Sequence, residues 1–336
     1  MAAAEPAAPA INGGSKILIT GASGQYGRQA VDRLLERGTP PSALLLLTRQ
    51  PSKLSAYAAR GLSIRQGSFD DPVATLAAAF AGATTMLLIS TSRAGARLPQ
   101  HQTAIDAAVR AGVRHVVYTS IVSAERADPT ALVGQEHRAT EAMLRAANSH
   151  AGLAWTALRD AQYADAMADV AAPAAVADGV LKSNSGEGCV AFVARADCVA
   201  AAVAVLADPE PHAGRAYAIT GPELLSWRDA ARMMGEVAGR GPEGVRFEPL
   251  TDDEMFAMFD ALGIPREPVD DLVVKGIPWN SSDMVSFGKA TRLGEMAVIS
   301  GDVEMLTGRK PRGLREMLEE SFARRAAAAA AAAGRA

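Results

Sequence analysis

The chain has 336 residues, 49% of them hydrophobic, and a formal net charge of −3. That composition can fill the core of one large domain or two smaller ones, and so small a net charge gives no electrostatic case for nucleic acid or an anionic membrane as a partner. Two cysteines, Cys189 and Cys198, are too few for a disulfide framework; they read as two buried thiols in a reducing compartment, with a single bridge as the alternative. No apolar run approaches the roughly 20 residues of a membrane span. Residues 1–14, rich in Ala, Pro and Gly, lack the basic and apolar regions of a signal peptide, so a disordered tail and a cytoplasmic location are expected.

The first element is the short apolar run Lys16-Ile17-Leu18-Ile19-Thr20. Gly21, Gly24 and Gly27 follow it, and then an amphipathic run with Ala30, Val31, Leu34 and Leu35 as its apolar positions. Buried strand, tight turn and helix are the pattern of a dinucleotide site. Gly21 turns the chain off the strand, Gly24 lets backbone amides approach a pyrophosphate, and Gly27 lets the helix pack close to the strand. Together with Ala22, Ser23, Gln25 and Tyr26 they form the expected phosphate cradle at the positive end of the helix dipole. The second apolar run, Ala43–Thr48, fits the next parallel strand. Where an NAD site carries an acid for the ribose 2′-hydroxyl, this strand ends in Thr48-Arg49-Gln50-Pro51-Ser52-Lys53. Arg49 and Lys53 read as either a 2′-phosphate site or two solvated cations; with no acid present, the balance is for NADP(H).

A third strand is expected over residues 62–67. Ser68 and Phe69 then stand where an adenine lies, and Asp70 or Asp71 is available to cap a helix opened by Pro72. Residues 85–90 and 113–120 give the fourth and fifth strands. Both end in hydroxyls at the ligand-binding edge of such a sheet: Ser90, Thr91 and Ser92 after the fourth, Thr119 and Ser120 on the fifth. The helix between them, about 99–111, ends at Gly112. Another helix, about 134–148, carries Gln135, Glu136, His137, Thr140 and Glu141. A sixth strand covers 153–160 and ends in Asp160, with Tyr163 just beyond, and 215–220 is a seventh, followed by a helix capped by Ser226. Strands alternating with helices mean a parallel sheet with right-handed crossovers.

From about residue 242 the pattern changes. Residues 245–250 read as a strand, and Thr251-Asp252-Asp253-Glu254 is a capping box. It opens a helix whose Met255, Phe256, Met258 and Phe259 suit either a core or an adaptable apolar wall. Gly276-Ile277-Pro278-Trp279-Asn280 is an aromatic loop, a lid or a plug, and a last helix runs from about 311 to 325 before the Ala-rich end of the chain. No Cys, His or Asp cluster has metal-ligand spacing. The expected division is a tail (1–14), a nucleotide-binding domain (15–240), a mainly helical lobe interleaved with it (241–325) and an Ala-rich tail (326–336).

The strings ILITGASGQYG, TRQPSKL, LLIST, AGVRHVVYTS, QEHRATEAML, WTALRDAQYAD, VAFVARADCVAAAVAVL and RAYAITGPELLSW together resemble the NmrA-like group of atypical short-chain dehydrogenase/reductases. The likeness is greatest to the branch of type 2 quinone oxidoreductase and triphenylmethane reductase and covers about residues 15–250. The resemblance implies an α/β Rossmann fold, a doubly wound parallel sheet with a smaller carboxyl-terminal substrate lobe, and NADP(H). Many relatives carry an acid where Ser68 stands. Ordinary short-chain dehydrogenases use Tyr-x-x-x-Lys on the helix after the fifth strand, but residues 121–148 contain neither Tyr nor Lys. His137 is the titratable group left there, with Gln135 as a nearby donor, and a helix-surface histidine is the plainer reading. Without the usual acid, an acceptor whose product charge is delocalised fits better than an aliphatic carbonyl. The expected activity is therefore NADPH-dependent hydride transfer to a quinone or other conjugated aromatic acceptor, with Ser90, Thr119 and Asp160 beside the nicotinamide, Tyr163 and Trp279 on the substrate, and a possible homodimer. The alternative is a non-catalytic NADP-binding redox-sensing regulator.

Overall fold

The computed structural model describes residues 15–269, 272–277 and 279–333. The expected disordered tail, Pro278 of the aromatic loop and residues 334–336 lie outside the described residues. Within β1 (Ile17–Ile19), alternate side chains go to opposite faces. Ile17 and Ile19 pack with Leu44 and Leu46 of β2 (Leu44–Thr48), while Leu18 packs with Leu45 and Leu47. Both faces are apolar, so both need helices over them. After β3 (Ser63–Gln66), β4 (Thr85–Leu88), β5 (His115–Ile121) and β6 (Ala154–Asp160) continue the pattern. The short pieces β7 (Val180–Ser183) and β8 (Cys189–Val190) leave the sheet, and β9 (Arg215–Ile219) returns as its edge. The sheet order is β3-β2-β1-β4-β5-β6-β9, with every pair parallel.

One face is covered by α1 (Gln25–Glu36). The other is covered, after the short α2 (Ser55–Ala59), by α3 (Val73–Phe80), α4 (Leu98–Ala111) and α5 (Leu132–Ala151). The chain then runs through α6 (Ala164–Ala166), one π-helical turn at Met167–Ala171 and α7 (Ala172–Asp178) to α8 (Arg195–Ala207), which lies beside α1. Because the chain passes from β3 at one edge to β4 on the far side of β1, the connections diverge at the carboxyl ends of β1 and β4. That reversal opens the crevice in which ligands bind in such sheets.

The later segments are joined to residues 161–193. Strand β10 (Leu225–Ser226) pairs antiparallel with β8, and β11 (Arg246–Pro249) pairs parallel with β7. Capping boxes start α9 (Trp227–Val237) at Ser226 and α10 (Asp252–Ala261) at Thr251, as their sequences predict. Met255 and Phe259 form a small core with Ile264 and Val285, the last of these on α11 (Ser281–Arg292). Beyond α12 (Asp302–Thr307), α13 (Leu314–Ala333) buries Leu314, Met317 and Leu318 in the main core and carries the alanine run as exposed helix. Asp70 and Asp71 do not cap α3. Its N-cap is Pro72, and the two carboxylates are drawn back onto Ser68. Both cysteines are free, which excludes the bridge. No helix of the described residues is long and apolar enough to cross a membrane.

Candidate cofactor and active site

The turn between β1 and α1 has the backbone that its glycines allow. Gly21 sits at φ +58°, and the Gly24 amide donates to the Gly21 carbonyl at 2.9 Å. A Cβ on Gly27 would lie 2.5 Å from the Gly21 oxygen and 2.7 Å from Ala22 Cα, so this glycine is required for packing alone. A Cβ on Gly24 would meet only the Gly21 oxygen, at 3.3 Å. Packing within the chain therefore makes only a mild demand for glycine there. Helix α1 has no side-chain cap, as α3, α4, α5 and α8 have none, so no side chain occupies its first amides. An uncapped helix start behind a bare glycine is a cradle for a pyrophosphate.

The end of β2 forms a basic rim beside this turn. Thr48 Oγ1 donates to Ser23 Oγ (3.1 Å), and Arg28, on the first turn of α1, donates from Nε to the Ser23 carbonyl (3.0 Å) and from a terminal nitrogen to the Lys53 carbonyl (2.5 Å). Arg28 therefore ties the glycine turn to the segment that carries Arg49 and Lys53, both exposed. Sequence reasoning missed Arg28; its only signal was a cation directly after the third glycine. The nearest acid on α1, Asp32, is taken up by the Tyr57 hydroxyl (3.0 Å) and Arg60 (3.6 Å). At the end of β3, Ser68 and Phe69 are half-buried. Ser68 is held by Asp70 and Asp71, and Gln100 donates to Asp70 at 2.9 Å.

At the ends of β4 and β5, Thr119 Oγ1 accepts from the Ser90 amide (2.9 Å) and donates to Ser90 Oγ (3.3 Å). Ser120 is not part of that edge. Its hydroxyl donates to Glu141 Oε1 (2.8 Å), a buried carboxylate that also takes both forks of Arg159. The segment after Ser90 is tied down from three directions. His101 Nε2 accepts from the Thr91 amide (3.2 Å), Glu136 accepts from the Gly95 and Arg97 amides, and Asn280 Nδ2 donates to the Ala94 carbonyl (2.9 Å). Ser92 is exposed on this segment, and the half-buried Trp279 immediately precedes Asn280.

His137 is not a surface residue, and it does not pair with Gln135. It is 4% exposed, whereas Gln135 is exposed and donates to the Pro129 carbonyl. Residues two apart on a helix face different ways. Arg97 donates to His137 Nε2 (2.8 Å), which leaves Nδ1 to donate to the Tyr118 hydroxyl (2.7 Å). Burial, then the Arg97 charge, holds the His137 ring well below the usual histidine range, and the same causes bring His101 to about 3. Both rings are neutral supports at physiological pH. The arrangement does not provide a histidine acid.

A different polar cluster lies at the end of β6. Asp160 is 3% exposed and accepts from the Tyr163 hydroxyl at 2.9 Å, and its Oδ1 has no protein partner. Burial pushes its carboxyl up to about 7, opposed by the Tyr163 hydroxyl and by the Cys198 thiol beside it. Arg195, at the start of α8, stacks over the Tyr163 ring (5.2 Å). It also donates to Gln25 of the glycine turn (2.5 Å) and to Asp165 (3.3 Å). Tyr26 on α1 donates to the Cys198 carbonyl at 3.0 Å. The turn and the Asp160–Tyr163 pair are thus parts of one edge.

Comparisons with known proteins agree with this geometry. The NAD(P)H-binding family model matches residues 21–209. Quinone oxidoreductase 2 of Escherichia coli is 34% identical over 249 residues, covering 74% of this chain and 82% of that protein. Among solved structures, the NADPH-dependent quinone oxidoreductase of Escherichia coli complexed with NADPH superimposes with a TM-score of 0.79 at 29% identity. It covers 91% of this chain and 99% of that one. The triphenylmethane reductase of Citrobacter sp. complexed with NADP(H) gives 0.78 at 27% identity, with the same coverage. The glycine cradle, the parallel sheet and these matches together identify the chain as an NAD(P)H-binding oxidoreductase of the NmrA-like atypical short-chain group, in the branch of quinone oxidoreductase 2 and triphenylmethane reductase.

Proposed function

We propose that the protein uses NADPH to reduce a quinone or another conjugated aromatic acceptor. The observation that carries this reading is the contrast along one edge: a dinucleotide cradle with a basic rim, beside a helix α5 that has no Tyr or Lys to protonate an alkoxide. When bound, the dinucleotide supplies a hydride from its nicotinamide. The backbone of Gly21–Gly27 holds the pyrophosphate through helix-end amides. Arg28, Arg49 and Lys53 hold the 2′-phosphate, with forked charge-assisted bonds from the arginines. Ser68 and Phe69 border the adenine, and Ser90, Thr91 and Thr119 position the nicotinamide against the sheet edge. Residues after 240, joined to 161–193 through the β7–β11 pairing, form the substrate lobe, with Tyr163 and Trp279 facing the acceptor.

What supports the acceptor class is the absence from α5 of the tyrosine and lysine of ordinary short-chain dehydrogenases, and the names of the similar proteins point the same way. The test is NADPH consumption against a panel of quinones and cationic dyes beside simple aliphatic ketones. Turnover of the aromatic acceptors at least about tenfold faster than the ketones is the expected result. Faster ketone reduction refutes the reading, and tight NADPH binding with no acceptor turned over makes the redox-sensing regulator the better one.

A further inference from the structure

Reducing a quinone to a hydroquinone takes a proton as well as a hydride. Helix α5 does not supply it through Tyr or Lys, and His137 is a neutral ring with both nitrogens engaged. The other buried polar cluster has the parts α5 lacks. Tyr163 is half-buried just past β6, its hydroxyl lies 2.9 Å from Asp160 Oδ2, and Asp160 Oδ1 is enclosed with no protein partner. The phenol is fixed from three sides. Residue 163 bridges Val193, the Ala164 amide donates to the Val193 carbonyl (2.8 Å), and Arg195 stacks on the ring while its guanidinium bonds Gln25. Those contacts tie the hydroxyl to the turn that holds the cofactor.

We propose that Tyr163 and Asp160 form the proton relay of this enzyme, Tyr163 protonating the acceptor oxygen and Asp160 replacing that proton. The inference rests on the quinone reading above. The acceptor gains the hydride pair and is reduced by two electrons, while the dinucleotide is oxidised by two. The Tyr163 O–H bond breaks as the acceptor O–H bond forms. The Asp160 O–H bond breaks as the phenol is remade, and the negative charge comes to rest on the Asp160 carboxylate. Water admitted on product release returns the proton. A phenol acting alone would leave a tyrosinate in a site where burial and the Asp160 charge hold Tyr163 well above the usual phenol range. Passing the charge on avoids that. A carboxyl raised to about 7 by burial is available as an acid at neutral pH. The groups that face it are Tyr163 beside it, Tyr26 from α1 and Cys198 from α8, with Arg195 and its partner Asp165 beyond the phenol.

The test compares two acceptors in single turnover at saturating NADPH. A quinone needs the proton, and a cationic triarylmethane dye takes hydride at carbon with none. Tyr163→Phe and Asp160→Asn are expected to slow quinone reduction by about 10²-fold, the lower end for a general acid, and at least about tenfold more than they slow dye reduction. Wild-type quinone reduction should fall as pH rises through about 7, and Asp160→Asn should lack that limb. A readout without cofactor or acceptor accompanies it. The Tm of Asp160→Asn relative to wild type should rise by several degrees between pH 5 and pH 8, because the wild type alone must bury a carboxylate at the higher pH. Equal losses with both acceptors, no loss with the quinone, or a Tm difference independent of pH overturns the relay. If the wild type reduces neither acceptor, the quinone reading itself fails and the relay falls with it, whatever the Tm difference shows.

Discussion

Gly24 and Gly27 lie in one turn, three residues apart, yet the structure separates their roles sharply enough to test in one assay. An added Cβ on Gly27 would sit 2.5 Å from the Gly21 oxygen and 2.7 Å from Ala22 Cα, both backbone atoms that cannot rotate away. Overpacking of this kind costs about 3 kcal/mol at the upper end. Helix propensity returns about 1 kcal/mol for Ala over Gly. Gly27→Ala should therefore lose about 2 kcal/mol, a fall in Tm of roughly 3 °C in a chain of this length. Gly24 has an extended backbone (φ −79°, ψ 173°) and would gain one contact of 3.3 Å, so Gly24→Ala should leave the cofactor-free Tm within about 1 °C of wild type. Its methyl group instead projects where the pyrophosphate must come, and about 1–3 kcal/mol of steric cost there weakens binding roughly 5- to 150-fold. Thermal scans with and without NADPH read both effects. At 100 times its Kd the cofactor stabilises the wild type by about 2.7 kcal/mol. Gly24→Ala should keep the basal Tm and lose roughly 1–2.4 kcal/mol of that stabilisation, while Gly27→Ala should lower the basal Tm. A normal NADPH response in Gly24→Ala, or a normal basal Tm in Gly27→Ala, refutes this account of the turn.

Arg49→Ala should raise the Kd for NADPH by about 10- to 100-fold, the worth of a charge-assisted bond, and leave NADH within about twofold; equal losses for both cofactors in calorimetric titration would remove the 2′-phosphate from this rim. His101 and His137 stay neutral when folded and titrate near 6.5 when unfolded, so the unfolded chain binds more protons below that pH. Their contribution is present above pH 6.5 and drains away as pH falls, at up to about 1.4 kcal/mol per pH unit for each ring. Urea unfolding of His137→Gln between pH 6.5 and 4.5 should show a shallower decline than wild type, and identical slopes would contradict the sealed neutral ring. His137→Ala should lower turnover per folded molecule by less than about 10²-fold; a larger loss with NADPH affinity intact would restore His137 as the acid.

The parallel sheet was legible because buried strands leave a strong signal. Residues 17–19, 44–47 and 116–118 are apolar on both faces, and the sheet buries both. The capping boxes at Ser226 and Thr251 were equally readable, since side chain and backbone within four residues decide them. Long-range burial was not legible. On α5 the polar residues Glu136, His137, Thr140 and Glu141 look like a solvent face, yet Arg97, Tyr118, Ser120 and Arg159 come from elsewhere in the chain to meet them. Arg28 looked like an ordinary helix cation because its partner, the Lys53 carbonyl, lies 25 residues away. Strands β8 and β10, two residues each, are too short to show a period, and their pairing alone defines them.

The two buried polar clusters also differ in a way that bears on where the chemistry lies. They occupy opposite faces of the sheet, one under α4 and α5 and the other against α1 and α8. In the first, Arg97, Glu136, His137, Tyr118, His101 and Thr140 meet one another, and the cluster ends on the amides of Thr91, Gly95 and Arg97. Such a network holds a loop in place, and a proton added to either ring would set donor against donor. In the second, Asp160 Oδ1 is buried without a protein partner, on a carboxyl that burial pushes up to about 7. A carboxyl of that kind holds a proton it can give up near neutral pH, which neither ring of the first cluster does. The first cluster is therefore a scaffold for the loop after β4, and proton chemistry is to be sought on the α1 and α8 side of the sheet, where the glycine turn, Arg195 and the Asp160–Tyr163 pair converge.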